Sequence, residues 1–147
     1  MSTIIHEALI SLIDARCTLA SPTNWTQGQY AKDITGKDAY PNSSDACTYC
    51  LQGAIWRSVL SRATNKQFSS LSRIGEHSVS DVVIQAAKFC IVHLPPGQGI
   101  FYSDSIRLIA FNDREATHAD IIRILDATIK DAKFAFEAEL AKSFSVN

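Results

Sequence analysis

Residues 117–140 read THADIIRILDATIKDAKFAFEAEL, and this stretch decides the fold class. Its apolar residues return every three or four positions, which is the period of an amphipathic α-helix. Thr117 and Asp120 have the spacing of a capping box, so the helix is predicted to begin there. One face of this helix carries Ile121, Ile122, Leu125, Ile129, Ala132, Phe136 and Leu140.

Two more helices are predicted from the same periodicity. The first runs from Ser2 or Thr3 to about Leu19, and the following Ser-Pro pair ends it. Another helix begins at Ser78 or Ser80 and ends at the Leu-Pro-Pro-Gly stretch of residues 94–97. A broad apolar face follows the N-cap of this second helix.

A fourth helix is predicted after one of the N-cap candidates Ser43, Ser44 and Asp45. It carries Cys47 and Cys50, and its helical pattern ends within residues 61–65. Gly53 within it costs roughly 1 kcal/mol relative to alanine. Such a glycine suggests that another backbone packs closely there.

The segments between these helices contain little periodicity. Residues 29–40 predict a short β-hairpin that turns near Gly36. Residues 64–77 are polar and predict at most a short helical turn, while residues 100–111 fit either a strand or an apolar loop. The predicted architecture is mainly α, with about four helices around one core and a small β-hairpin after the first helix, in a single domain of residues 1–147.

The composition excludes several classes of protein. Hydrophobic residues make up 46% of the chain and charged residues 20%, and the formal net charge is −1. These values do not fit a disordered chain or a membrane protein, and they make nucleic acid an unlikely partner. The N-terminus does not resemble a signal peptide. We therefore expect a cytoplasmic protein, and its four cysteines to be reduced thiols.

One candidate site is a zinc centre. The chain has two pairs with i,i+3 spacing, Cys47 with Cys50 and Cys90 with His93, and a Cys₃His site needs two converging pairs. Both pairs lie in predicted helices among apolar neighbours, where cysteine commonly serves as a small buried hydrophobe. The sequence favours the second interpretation, with no metal or other cofactor.

A second candidate is a cysteine nucleophile. Cys50 with His118 as base and Asp113 or Asn112 as orienting group would form such a set. Nothing in the spacing of these residues connects them.

A third candidate is a binding surface, because tryptophan, tyrosine and arginine dominate binding hot spots. The same residues also anchor hairpins onto helical cores. Trp25 and Asp33 are predicted to dock against the helix that carries Cys50 and against the corner at residues 111–113. The candidate set is Trp25, Gln27, Tyr30, Lys32, Asp33, Trp56, Arg57, Phe111, Asn112 and Asp113.

Several short motifs resemble an uncharacterised small-domain family found in bacterial and bacteriophage proteins. They are WTQGQYAKDITGK at 25–37, YCLQGAI at 49–55, SIRLIAFND at 105–113 and THADIIRILDATI at 117–129. The resemblance implies a shared fold and an accessory role in a phage or its host, with no known activity. The positions that match are Trp25, Gly28, Ala31, Asp33, Gly36, Cys50, Gly53, Ala54, Phe111, Asn112, Asp113 and Thr117.

Together these observations favour a small, soluble, non-enzymatic binding protein with an unidentified protein or small-molecule partner, such as a phage-encoded modulator of a host factor. The alternatives are a small hydrolase or nucleotide-ligand enzyme that uses Cys50, His118 and Asp113, and a zinc-stabilised interaction domain. The last helix, with Phe144 beyond its apolar face, also suggests a homodimer.

Overall fold

The computed structural model describes residues 2–64, 72–96 and 103–145, and within these ranges the chain is mainly helical. No helix in the described ranges has the length and hydropathy that a membrane span needs. The ranges contain five α-helices where four were predicted: α1 Ile4–Thr18, α2 Leu51–Ser61, α3 Val79–Ile91, α4 Asp104–Arg114 and α5 His118–Ser145.

The helices α1 and α5 pack against each other in opposite directions. The Thr3 hydroxyl, at the start of α1, donates to Glu139 Oε1 near the end of α5 over 2.7 Å. At the other end of α1, Arg16 Nε donates to Asp126 Oδ1 over 2.8 Å. Thr3 is also the N-cap of α1 and accepts from the amide of His6. The predicted extent of the first helix is confirmed.

The capping box at the start of α5 is also confirmed. Asp120 N donates to Thr117 Oγ1, and Thr117 N donates to Asp120 Oδ2. Hydrogen bonds from the Thr117 amide, the Arg123 side chain and the Thr117 hydroxyl hold the pKa of Asp120 below its ordinary value. In α3 the predicted N-cap Ser78 accepts from Asp81 N.

The helix α2 begins later than predicted, so the prediction of a start at Ser43–Asp45 is wrong. Residues 48–49 form a strand instead, and the N-cap of α2 is Cys50. Ser43 accepts from Asp45 N within a turn. Tertiary pairing overrides the local capping signal, because Cys47 N and Cys50 N donate to the carbonyls of Lys32 and Tyr30.

Residues 104–111 form neither strand nor loop, because α4 begins at Asp104; residues 100–102 of the predicted segment lie outside the described residues. Ser103 caps this helix by accepting from Ile106 N. Only Leu108, Phe111 and Asn112 are buried along it. A helix with so narrow a buried face shows little apolar periodicity, and the run from Ile106 to Phe111 resembles a strand in sequence.

The predicted hairpin is confirmed, and a third strand extends it. Strand β1 (Ala31–Lys32) pairs antiparallel with β2 (Asp38–Ala39) on one side and with β3 (Thr48–Tyr49) on the other. The turn uses Gly36 at a φ of +85°. A second hairpin, β4 (Arg73–Ile74) with β5 (His77–Ser78), stands where a helical turn was predicted; residues 65–71 of that segment lie outside the described residues.

The hydrophobic core lies between α1, α2, α3 and α5, with Leu108 and Phe111 of α4 at its edge. An ion pair lies at the edge of the core: Arg62, the C-cap of α2, donates to Glu7 Oε2 over 2.7 Å. Arg62 also donates to the Glu7 carbonyl and to the hydroxyl of buried Ser11. This network ties the end of α2 to the first half of α1.

Candidate functional site

Asn112 is the centre of the residues that the sequence singles out. Its side chain is fully buried, and its amide has four hydrogen bonds. Oδ1 accepts from the Trp25 indole (2.8 Å) and from the amide of Leu51 (3.0 Å). Nδ2 donates to the Thr26 carbonyl (3.1 Å) and to Asp113 Oδ1 (2.9 Å). Every donor hydrogen and acceptor lone pair of the amide thus has a partner inside the protein.

The loop at residues 25–28 docks onto the last turn of α4. Gln27 Nε2 donates to the Asn112 carbonyl over 2.8 Å, and Gly28 N donates to Asp113 Oδ1 over 2.9 Å. Gly28 has a φ of +90°, which favours glycine because it has no Cβ. The Asn112 carbonyl and the Asp113 carboxylate, both at the end of α4, therefore fix the path of the loop.

The N-terminus of α2 meets the same cluster. The amide of Leu51 donates to Asn112, and the amide of Gly53 donates to Cys50 Sγ over 3.2 Å. These are two of the four amides that a helix start leaves without helical partners. A Cβ on Gly53 would lie 1.8 Å from the Tyr30 carbonyl oxygen. The close backbone approach predicted at Gly53 is present, and its partner is the residue just before β1.

Four of the predicted binding residues thus meet in one place: Trp25, Gln27, Asn112 and Asp113. We call this set, with Leu51 of α2, the asparagine cluster. It joins three segments of the chain that are far apart in sequence, and its hydrogen bonds are directed inward. Trp25 is partly buried and its ring lies 6.2 Å from that of His118.

The other predicted binding residues lie elsewhere. Asp33 stays in its own turn, where Oδ1 accepts from the hydroxyl and amide of Thr35 and from the amide of Lys37. These bonds hold the pKa of Asp33 below its ordinary value, with the Thr35 hydroxyl as the main cause. Asp33 therefore does not dock against α2 as predicted. Trp56 packs partly buried against the core.

Arg57 lies beside Tyr49. Its Nε donates to the Tyr49 hydroxyl over 3.1 Å, and its guanidinium carbon lies 5.4 Å from the centre of the Tyr49 ring. This is the distance of a cation–π contact.

The proposed catalytic residues have other partners. Cys50 Sγ accepts from Gly53 N, and burial, with the nearby Asp113 charge as a lesser cause, raises the pKa of its thiol to about 12. His118 Nε2 lies 2.6 Å from the Leu19 carbonyl, so it carries the proton that this bond needs. No hydrogen bond joins Cys50 to His118 in the described ranges. A protonated, buried thiol is a poor nucleophile.

The proposed zinc ligands are not brought together. Cys47 is exposed, whereas Cys50 and Cys90 are buried. His93 Nε2 lies 2.6 Å from Asp131 Oδ2 on α5. In the part of the chain that the structure describes, no three His, Cys, Asp or Glu side chains lie close enough to hold a metal ion. Cys47 and Cys50 do not share a helix turn, because β3 separates Cys47 from the start of α2.

Two grooves meet at Pro41, one along the hairpin and the other between the loop that follows the hairpin and α2. Tyr30 and Tyr40 line the first, which we call the tyrosine groove, with 38% and 69% of their surfaces exposed. Tyr49 and Arg57 line the second, the arginine groove. Sequence reasoning missed Tyr40 and Tyr49. The signal for Tyr40 was its place in the predicted hairpin beside Pro41, whereas no spacing rule connects Tyr49 to Arg57 across a strand-to-helix junction.

Comparison with protein families identified a match. The model of a family described as a family of unknown function (DUF6197) matches residues 7–131. This confirms the expectation of an uncharacterised family; the motif pattern and the bacterial and phage setting stay predictions. No curated protein and no solved structure matched the chain.

Proposed function

The chain belongs to the family of unknown function DUF6197, and from its own residues we propose that it is a non-enzymatic binding domain whose tyrosine and arginine grooves contact a protein partner. The observation that carries this proposal is that Tyr30, Tyr40 and Arg57 line two grooves that meet at Pro41. Tyrosine and arginine supply large contact areas and hydrogen bonds at protein interfaces.

The asparagine cluster supports the proposal indirectly. Its amide and carboxylate groups bind the loop at residues 25–28 and the start of α2. The Asn112 amide, whose donors and acceptors all have partners in the fold, has little capacity left to bind a substrate. The asparagine cluster therefore anchors the segments next to the two grooves, and the contact surface lies outside the cluster.

The grooves also indicate the chemistry of the partner segment. The Arg57 guanidinium, held over the Tyr49 ring, suits a carboxylate of the partner. The tyrosine groove suits an apolar or aromatic side chain that follows it in an extended segment. The sequence resemblance suggests that the partner segment belongs to a host protein and that this chain is an accessory phage protein.

A photo-crosslinking experiment tests this function. A photoreactive phenylalanine analogue replaces Tyr40 in one variant and Val92 in the control, because Val92 is also exposed (68%) but lies just after α3. We expect a discrete crosslinked protein from position 40 only. The double variant Y40A/R57E does not carry the photoreactive analogue. Compared with the wild type, it is expected no longer to capture the crosslinked protein in a pull-down. Equal crosslinking at positions 40 and 92, or capture that survives the double substitution, would contradict the proposal.

A further inference from the structure

The second half of α5 carries large apolar side chains that are exposed in the described structure. Phe134 and Phe144 are 75% and 78% exposed, and Leu140 is 41% exposed. Large aromatic side chains with this exposure are unusual on the surface of a monomer when they share one helix face.

Phe134 and Phe144 share a face with charged neighbours, and Leu140 lies at the edge of that face. Ile129, Lys130, Lys133, Phe134 and Glu137 line one shallow groove along α5, with Asp126 at its start. Their spacing of three and four residues places them on one side of the helix, and Ala141 and Phe144 continue the same series. The face is about 27 Å long, from five turns at 1.5 Å per residue. We call it the α5 face.

The covering that α1 provides ends before the end of α5. Thr3, the N-cap of α1, contacts Glu139, and His6 stacks on Phe136 with 4.4 Å between ring centres. α5 continues to Ser145 beyond this point. In the described structure Leu140 and Phe144 therefore lie past the end of α1.

We propose that the α5 face binds the same face of a second copy of this chain, with the two α5 helices antiparallel. The charge pattern of the α5 face supports this pairing, because Lys133 and Glu137 lie one turn apart. With the two-fold axis at the level of Ala135, Lys133 of each copy lies opposite Glu137 of the other. The interface is thus self-complementary, as a two-fold dimer requires.

The same alignment covers the apolar residues. The two Phe134 side chains lie next to the axis and contact each other. Leu140 of one copy lies level with Lys130 of the other, whose methylene groups pack along apolar surface while the ammonium group stays in water. A single helix pair buries less than the roughly 800 Å² per partner of a standard interface, so the dimer is expected to dissociate on dilution. This inference does not depend on the function proposed above.

Charge reversal tests the alignment. In K133E each copy presents two acidic groups at this site, and in E137K two basic groups, so each variant alone is expected to be monomeric. An equimolar mixture of the two variants restores opposite charges at both contacts and is expected to dimerise, as is the double variant K133E/E137K. Sedimentation velocity over a range of concentrations measures this, with a dissociation constant raised at least roughly tenfold for each single variant.

Two further variants complete the test. F134A is expected to weaken the dimer without a charge change, and K88E, an exposed charge reversal on α3, is expected to leave it unchanged. Circular dichroism checks that every variant is folded. Wild-type protein that stays monomeric at every concentration overturns the proposal. So does a dimer that persists in K133E and E137K alone, since another surface must then form it.

Discussion

The indole Nε1 of Trp25 donates to Oδ1 of Asn112, and the two residues lie 87 positions apart in the chain. The same Oδ1 accepts from the amide of Leu51. One side chain on α4 therefore caps α2 and fixes the loop before the hairpin. A tertiary contact thus adds to the local cap, which Cys50 supplies here where Ser, Thr or Asp is more usual.

We expect Asn112→Ala to lower the free energy of unfolding by about 3 kcal/mol, because it leaves the buried amide of Leu51 and the Thr26 carbonyl without partners. Urea denaturation followed by circular dichroism measures the change. Trp25→Phe removes a single donor and is expected to cost about 1 kcal/mol. Gln29→Ala, an exposed neighbour, serves as control. An Asn112→Ala protein as stable as the control would show that water replaces the lost groups.

The Tyr30 carbonyl explains the glycine in α2, and it reverses the usual effect of Gly→Ala in a helix. By helix propensity alone Gly53→Ala adds about 1 kcal/mol of stability. A Cβ there lies 1.8 Å from the Tyr30 oxygen, so we expect a net loss of about 2 kcal/mol or more. The clash also displaces the acceptor of the Cys50 amide, whose hydrogen exchange is expected to accelerate. Ser80→Ala on α3 is the control. A stabilised Gly53→Ala variant would contradict the close contact.

Much of the fold is predictable because some elements carry their own signals. The capping box at Thr117 and the N-caps Thr3 and Ser78 act within one turn of the chain, and each helix begins where its cap predicts. The hairpin was also predictable, because Gly36 marks its turn.

The errors occur where distant contacts decide the local structure. α2 starts after the local caps at Ser43–Asp45 because β1 pairs with residues 47–50. α4 has only three buried residues, so its sequence shows little helical period. In the site, the sequence named Trp25, Gln27, Asn112 and Asp113 but not their partner, since the amide of Leu51 carries no side-chain signal.

The two ion pairs of α1 are predicted to differ strongly in their contribution to stability. Arg62 bonds Glu7, whose side chain is only 10% exposed, whereas Arg16 bonds Asp126, whose side chain is 58% exposed. Arg62→Ala leaves a buried carboxylate unpaired and is expected to cost about 3 kcal/mol. Arg16→Ala is expected to cost less than about 1 kcal/mol. Thermal and urea unfolding of both variants measure the difference, and equal losses would show that the Arg62 network is exposed to water.

The four thiols are expected to fall into two classes. Cys17 and Cys47 are exposed, and Cys50 and Cys90 are buried. Iodoacetamide at pH 8 should therefore modify the first two in the native protein and all four in denaturant, as intact and peptide mass spectrometry will show. Rapid labelling of Cys50 in the native protein would contradict its burial and would support the alternative in which Cys50 is a nucleophile.

The buried thiols also predict how stability depends on pH. Burial raises the pKa of Cys50 and of Cys90 to about 12 in the folded protein, whereas an unfolded cysteine titrates near 8.5. Above that value the unfolded chain loses thiol protons that the folded chain keeps, so the free energy of unfolding should fall as pH rises from about 8.5 towards 12. Urea unfolding at pH 7.5, 8.5 and 9.5 measures the slope. Cys90→Ala should show a shallower decline than the wild type, since it removes one of the two thiols, while exposed Cys17→Ala should keep the wild-type slope. Parallel declines in the wild type and Cys90→Ala would mean that Cys90 ionises in the folded state.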